Sequence, residues 1–352
     1  VLDKVVVTAD TVEDYRTGDV DVVHTPGFLS VIERSEFDSR MDDLAEVVER
    51  EAGVQIRRTG GLGSFSSISL RGSTSEQVHV YLDGILLNDA SGGGVNLADF
   101  SLADVAAIEI YRGNPPVLFG RPAIGGVVNI RTLRTAGALE ASVGAGAGSF
   151  GTYSVNGHIN HKPGRWDYLV AVDGAVSEND LEFENNNGTP LNPDDDFTDR
   201  RNNAEVAQYN ILAKAGLDID GRTRLDVMNQ WFSKDQNLPG WNNSPLIDTS
   251  LDTRRNIVTA QLTADDLSPL HLNTRTRLDY LWRQEEYDDS SNQLGLGAQH
   301  ERYTTHRYGL NLYAEWIGGM QLLGMTLDAH REEYDPENLL SGADPNRSHR
   351  NI

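Results

Sequence analysis

The chain has 352 residues, no cysteine and a formal net charge of −23 at pH 7. That length exceeds one typical domain, so two are expected. The lack of cysteine excludes a disulfide scaffold and a thiolate metal site, and suits a periplasmic or surface location. The acidity excludes a nucleic-acid partner, whose phosphates it would repel.

In chain order, the first stretch is VLDKVVVTA. Asp3–Ala9 is short, β-prone and near a free end; no signal peptide is visible at Val1, so the numbering is expected to start near a mature end. An exposed extended peptide of this kind can add a strand to another protein's sheet edge. Thr11 to Asp21 is polar and acidic, as a flexible tether would be. Thr25-Pro26-Gly27 is a turn. Ser39 to Gly53 reads as an amphipathic helix, with Ser39 as its cap, Leu44, Val47 and Val48 on one face, and Gly53 as its end. Four β-rich runs follow, at Ile68–Arg71, Val78–Leu82, Ala107–Tyr111 and Gly126–Ile130. The first three end at Arg71-Gly72, Asp83-Gly84 and Arg112-Gly113, where glycine can take the positive φ of a sharp turn. Gly60–Gly63 and Ser91–Gly94 are loops, and neither carries the Lys-Ser/Thr of a phosphate cradle. Together these elements predict a small α+β module.

Beyond about Thr135 the pattern becomes strict alternation, and all five tryptophans lie there. Leu272, Thr274, Thr276, Leu278, Tyr280 and Trp282 share one face; Asn273, Arg275, Arg277 and Asp279 share the other. Tyr168 to Val176, Tyr209 to Leu217 and Tyr308 to Trp316 repeat the pattern. A period of two with one apolar and one charged face predicts strands between lipid and water. A hydrophobic fraction of 38% fits such strands, in which only alternate residues face lipid. No apolar run approaches the ~18–20 residues of a membrane helix. Tight turns at Pro163-Gly164, Asp220-Gly221, Ser268-Pro269 and Gly318-Gly319 alternate with polar loops at Asp180–Glu205, Asp235–Arg255 and Glu286–Arg302. Short turns on one side and long loops on the other distinguish an outer-membrane barrel from a soluble sandwich.

The ordered motifs LRG (70–72), YLDGILLND (81–89), IEIYRG (108–113), and LFG with AIGGVVNI (118–130) resemble the plug domain of TonB-dependent outer-membrane transporters. The resemblance implies a TonB box and tether over 1–24, a plug over 25–134 and the N-terminal part of a transmembrane β-barrel over 135–352, in the bacterial outer membrane. It implies TonB-dependent uptake of a scarce ligand such as a siderophore, cobalamin or another metal chelate, and no enzymatic activity. TonB, with its inner-membrane energising complex, would bind Asp3, Lys4, Val5, Val6, Val7, Thr8 and Ala9. Arg71 and Arg112 would hold the plug in the barrel lumen by pairing with barrel glutamates, with Asp83 and Glu109 joining that polar network. Arg57, Arg58, Ser64 and Phe65, beside the first glycine loop, would help bind ligand. Trp241 would do so from an aromatic loop that includes Trp231, Phe232 and Leu238. The alternative is a surface ligand-binding or structural subunit on a plug-barrel scaffold, including one half of a split two-chain receptor; a soluble periplasmic module is a third reading.

The turns predict about nine strands, against the ~22 of a plugged transporter. At ~4.8 Å spacing and ~45° tilt, nine strands close to about 20 Å across. A plug of ~130 residues is about 36 Å wide. Roughly thirteen further strands are therefore expected, from the same longer polypeptide or from a second chain, since open edges are not tolerated in hydrocarbon. Asp194, Asp195, Asp196 and Asp199 crowd carboxylates into one external loop, a candidate calcium site without EF-hand spacing and otherwise a solvated acidic loop. No cofactor is required. His158 and His161 are three apart on a strand, on opposite faces, which argues against a joint metal site.

Overall fold

The computed structural model describes residues 28–351 except 39–41, 90, 91, 93, 114, 116–118, 120–122, 136, 241–247, 268–270, 295, 319–320 and 343–347. The first unit contains β1 (Leu29–Glu33), helix α1 (Leu44–Glu49), β2 (Val54–Arg58), β3 (Ser66–Leu70), β4 (Val78–Leu82), β5 (Ile85–Leu86), β6 (Val105–Tyr111) and β7 (Gly126–Thr132). Five of these strands form one sheet in the order β1-β6-β7-β4-β5, and β2 pairs with β3 alone. Strand β7 is central, antiparallel to β6 and parallel to β4. It is buried on both faces, as its continuous apolar run GVV-I requires.

The helix is shorter than the sequence suggests. Asp43 caps it, accepting from the Glu46 N–H while the Glu46 side chain accepts from the Asp43 N–H. This reciprocal capping box satisfies two of the orphan donors at the helix start. The expected cap, Ser39, lies outside the described residues. Leu44, Val47 and Val48 do share the buried face, packing into a core with Ile68, Leu70, Val80, Leu82, Ile108 and Ile130.

Two turns differ from expectation in an instructive way. Positive φ occurs at both residues of Arg71-Gly72 (53° and 78°) and of Asp83-Gly84 (47° and 78°). Two successive positive φ values define the type I′ turn, whose twist matches a two-residue hairpin, and Asp-Gly is a preferred pair for it. At Asp83-Gly84 it joins β4 to β5, with Leu82 opposite Ile85.

The second unit is a wall of antiparallel strands: β8 (Glu140–Gly148), β9 (Thr152–His161), β10 (Trp166–Ser177), β13 (Val206–Asp218), β14 (Thr223–Asn237), β15 (Ser250–Leu267), β16 (Leu272–Asp289), β17 (Gln299–Gly318), β18 (Gln321–Asn338) and β19 (Ser348–Asn351). Nine long strands coincide with the nine expected; the short tenth, β19, adds to them. Each pairs with its neighbour in chain order, and the ends of the sheet, β8 and β19, do not pair with each other. β11 (Glu182–Asn185) and β12 (Phe197–Arg200) form a separate hairpin inside the first long loop. The strands also run further than the expected loop bounds allow: β14 reaches Asn237 and β15 begins at Ser250, so that connection is shorter than Asp235–Arg255.

The alternation sorts as charge demands. Tyr168, Val170, Val172, Tyr209, Ile211, Leu278 and Tyr308 are exposed on one face. Asp167, Leu169, Ala171, Asn210, Leu212, Lys234, Arg255 and Arg307 are buried on the other. Trp231 stacks on Trp282 (5.8 Å between centroids) and Tyr280 packs on Tyr308 (5.1 Å), at one level of the exposed face. Leu272 and Trp316 sit opposite each other at the far end. From Leu272 to Trp282 the strand rises roughly 34 Å at ~3.4 Å per residue. A tilt of about 45° reduces this to about 24 Å, the height of the apolar band of an outer-membrane barrel.

Candidate functional site

The α+β unit lies against the buried face of five successive wall strands, and the seam between them has one polarity. Every described side-chain hydrogen bond across it from β13 to β17 runs from a wall donor to an acceptor in residues 63–104. On β13, Lys214 Nζ lies 3.0 Å from Asp83 Oδ2. Asn210 on β13 and Gln230 on β14 donate to Asp104 Oδ2 at 2.9 and 3.0 Å. Lys234 on β14 donates to Asp99 Oδ1 at 2.6 Å and to the Gly63 carbonyl at 3.0 Å. Arg255 on β15 donates to the Asp99 carbonyl at 3.0 Å. Its guanidinium lies between the rings of Phe100 (4.4 Å) and Phe232 (5.2 Å). On β16, Arg277 donates to the Gly84 carbonyl at 2.8 Å and Arg283 to Asp89 at 2.8 Å. Arg307 on β17 donates to the carbonyls of Leu86 and Asn88.

Lys234 is the centre of this seam, being 0% exposed while Asp99 is 3% exposed. A buried ammonium is tolerated only when paired and hydrogen-bonded. Asn96 completes the arrangement: its Nδ2 donates to Asp99 Oδ1 and its Oδ1 accepts from Ser66 N–H. A further tie sits at the outer end of β10. The Asn179 side chain accepts from Leu62 N–H at 3.1 Å and donates to the Leu62 carbonyl at 3.0 Å, clasping the Gly60–Gly63 loop. A Cβ on Gly61 would meet the Cβ of Asn179 at 3.6 Å.

Electrostatics divide two acids that the plug presents to the wall. Burial pushes Asp83 up, but the Lys214 ammonium and two Thr132 hydrogen bonds outweigh it and leave the carboxyl below its ordinary value. Burial pushes Asp104 up, and there the Asn210 and Gln230 hydrogen bonds do not compensate.

The site residues expected from sequence divide. Asp83 contacts the wall through Lys214. Glu109 does not: it is buried inside the first unit, accepting from Asn129 (2.9 Å) and Tyr111 (3.1 Å) and pairing with Arg131 (3.3 Å). Arg112 likewise pairs within that unit, with Glu51 at 2.9 Å and Ser30 at 2.7 Å. The Arg71 guanidinium sits 4.8 Å from the Phe28 ring centroid. No described wall glutamate contacts either arginine. Arg58 is held by Asp43 in a bidentate pair. Arg57 and Phe65 are exposed, and Ser64 is half-buried beside them.

Of the residues grouped in the expected aromatic loop, Trp231 and Phe232 are consecutive on β14 and face opposite sides. Phe232 is buried under Arg255, and Trp231 is on the lipid side. Trp241 and Asp3–Ala9 lie outside the described residues. Asp195 accepts from Thr189, and Asp199 from Asn185 on the β11–β12 hairpin. With those carboxylates engaged, no group of three or more acidic or histidine side chains among the described residues is placed to hold a metal.

A membrane-height strand wall with an α+β stopper on its inner face is the architecture of a plugged outer-membrane β-barrel. Residues 21–127 match the family model of the TonB-dependent receptor plug domain. Residues 21–127 are thus a TonB-dependent receptor plug domain, and the chain as a whole is similar to outer-membrane receptors and transporters that carry one. It is 30% identical over 227 residues to the vitamin B12 transporter BtuB of Photobacterium profundum, a match covering 54% of this chain and 37% of that protein. Among solved structures it resembles the FrpB iron transporter of Neisseria meningitidis (F3-3 variant), with a TM-score of 0.71, 16% identity, and coverage of 88% of this chain and 50% of that one. It also resembles the Pseudomonas aeruginosa ferripyoverdine receptor bound to ferripyoverdine, with a TM-score of 0.66, 15% identity, and coverage of 89% and 43%. The chain thus spans about half the length of these structural relatives; at such identities the likeness shows the fold alone.

The seam is what sequence reasoning missed. Its signal was present: Lys214, Lys234, Arg255, Arg277, Arg283 and Arg307 all fall on the charged face of their strands. Asp83, Asp89, Asp99 and Asp104 crowd into one plug segment.

Proposed function

We propose that the chain serves energy-coupled uptake of a scarce ligand across the bacterial outer membrane, as the plug and part of the barrel of a TonB-dependent transporter. The observation that carries this reading is the polar seam. Apolar wall residues Leu169, Leu212, Met228, Ile257 and Leu281 also join the plug's core cluster, but the charged and hydrogen-bonded contacts can exchange their partners for water when the plug is pulled. TonB pairs with Asp3–Ala9 by strand addition and pulls; the pull loosens the plug and opens a path between plug and wall. Further strands, from the same longer polypeptide or from a second chain, complete the wall. The ligand belongs to the scarce metal chelates; the named relatives carry vitamin B12 and bind ferripyoverdine.

Deleting residues 3–9 from the full-length receptor in cells tests this. The expected result is loss of uptake of whichever of radiolabelled cyanocobalamin and a ferric siderophore panel the intact receptor takes up, with binding to isolated outer membranes unchanged. Uptake that persists at the level of the intact receptor contradicts the reading and favours a surface binding or structural subunit.

A further inference from the structure

The seam is not held equally along its length. At β10, β13 and β14 it is tied where the plug chain leaves for the wall. The Thr132 N–H and the Lys214 ammonium both bond to the Asp83 carboxylate. The Leu133 N–H bonds to the carbonyl of Asp104 at 2.7 Å, and the Asp104 side chain is held in turn by Asn210 and Gln230. Two residues on, the Thr135 hydroxyl donates to Asp167 on β10 at 2.7 Å, and Asp167 pairs with Arg224 on β14 at 2.6 Å. Apolar packing favours the same side. Leu169 and Ala171 on β10, Leu212 on β13, Met228 on β14, Ile257 on β15 and Leu281 on β16 join the plug's core, and among the described residues no side chain of β17 or β18 does.

On β16 to β18 the contact is looser. Asp279, Gly309 and His330 stand opposite one another across these strands, with Arg277 and Asp328 two residues away on the same face. A Cβ on Gly309 would collide with the Asp279 carboxylate, so only glycine leaves both in place. Between these residues and Tyr81, Gly84 and Leu86 of the plug lies a pocket of about 20 Å³. One buried water needs about 10–15 Å³ and several polar partners, and this pocket offers both. Strand β5, which borders it, is two residues long, pairs with β4 and ends the plug sheet. Guanidinium groups hold this part of the plug by its main-chain carbonyls: Arg277 by Gly84, Arg307 by Leu86 and Asn88. Carbonyls and guanidinium groups released beside a wet pocket take water in exchange, at small net cost. Releasing Lys234 from Asp99 instead strands a buried charge.

We propose that the plug pivots on β10, β13 and β14, and that the way past it opens between residues 84–89 and strands β16 to β18, through the pocket at Gly309. Arg277, Asp279 and Asp328 give that opening both signs of charge, which suits a polar solute moving with its water. That the opening serves transport rests on the uptake reading; the unequal hold of the two sides does not.

Two locks on the full-length receptor in cells test it. Leu86→Cys with His330→Cys, joined by a flexible bismaleimide, fastens the gap; Leu86→Cys with Asp328→Cys gives a second attachment point. Gly61→Cys with Asn179→Cys, joined as a disulfide, fastens the pivot side. Each is compared with its own unlinked form, so that a folding defect affects both sides of the comparison. The probe is whichever of radiolabelled cyanocobalamin and the ferric siderophores the receptor takes up. The gap lock is expected to cut uptake about tenfold or more, and the pivot lock to leave it within about twofold. Uptake unchanged by the gap lock, or cut equally by the pivot lock, overturns the proposal. Hydrogen exchange of the receptor in micelles under mild urea reads the same asymmetry without transport. Residues 84–89 are expected to lose protection before 99–104 and 132–135, and the reverse order or simultaneous loss overturns the pivot. If the exchange order holds while uptake survives deletion of residues 3–9, the uptake reading fails and the unequal seat remains.

Discussion

Lys234 concentrates the energetics of the seam in one side chain. Replacing it with methionine keeps the length and removes the charge, leaving the Asp99 carboxylate buried without its cation. Removing one partner of a buried pair costs about 3–5 kcal/mol. Lys234→Met is therefore expected to leave the wall folded but the plug loosely seated, seen as rapid protease cleavage within residues 60–104 of the receptor in micelles. Cleavage as slow as in the parent would mean that the pair contributes nothing to seating. Asp83 adds a pH dependence of definite sign. Its folded value lies below the ordinary 3.8, so the stability it contributes is present above that value and is lost as pH falls through the folded one. Asp83→Asn should weaken plug protection at pH 7, and that deficit should shrink in hydrogen exchange measured below about pH 4. Asp104 works the other way: held above its ordinary value, it stabilises the seat when protonated and less as pH rises through the folded value.

At the scale of the element, the two faces of a strand make opposite claims on adjacent residues. Leu278 and Arg277 are neighbours on β16; one is exposed toward lipid and the other reaches the Gly84 carbonyl. Leu278→Arg should cost about 2–4 kcal/mol of wall stability near the bilayer midplane. Arg277→Leu should leave the wall's urea midpoint in vesicles unchanged while freeing the β4–β5 hairpin. Equal effects on the wall would mean that the faces are misassigned. How much was legible beforehand follows from the same contrast. Alternation is a local property, so the lipid face at Tyr168–Val176 and Leu272–Trp282 could be read directly, as could nine strands. The seam could not, because it joins residues as distant in sequence as Asp99 and Lys234, and no local spacing links them. Motif likeness draws attention to Arg112 and Glu109, which bond inside the plug, and to Arg71, whose guanidinium lies near the Phe28 ring, but not to Asp99 and Asp104. The Ser39 cap was misplaced because Asp43 with Glu46 makes a reciprocal capping box that a lone serine does not.

At the scale of the molecule, the plug and the wall are one machine only if the plug sits against the wall's inner face in the membrane. Five strands donate to it, and the β10 end clasps its glycine loop through Asn179. These 352 residues contain no cysteine of their own to compete in a crosslinking test of that geometry. A Cβ on Gly61 would stand 3.6 Å from that of Asn179, within the ~3.5–4.5 Å that a disulfide spans. The full-length receptor carrying Gly61→Cys and Asn179→Cys, oxidised in isolated outer membranes, is expected to form an internal disulfide. It would show as a mobility shift that reductant reverses and as loss of maleimide labelling. Two freely labelled thiols in a chain recovered with the soluble fraction would contradict the seated plug and the membrane wall together.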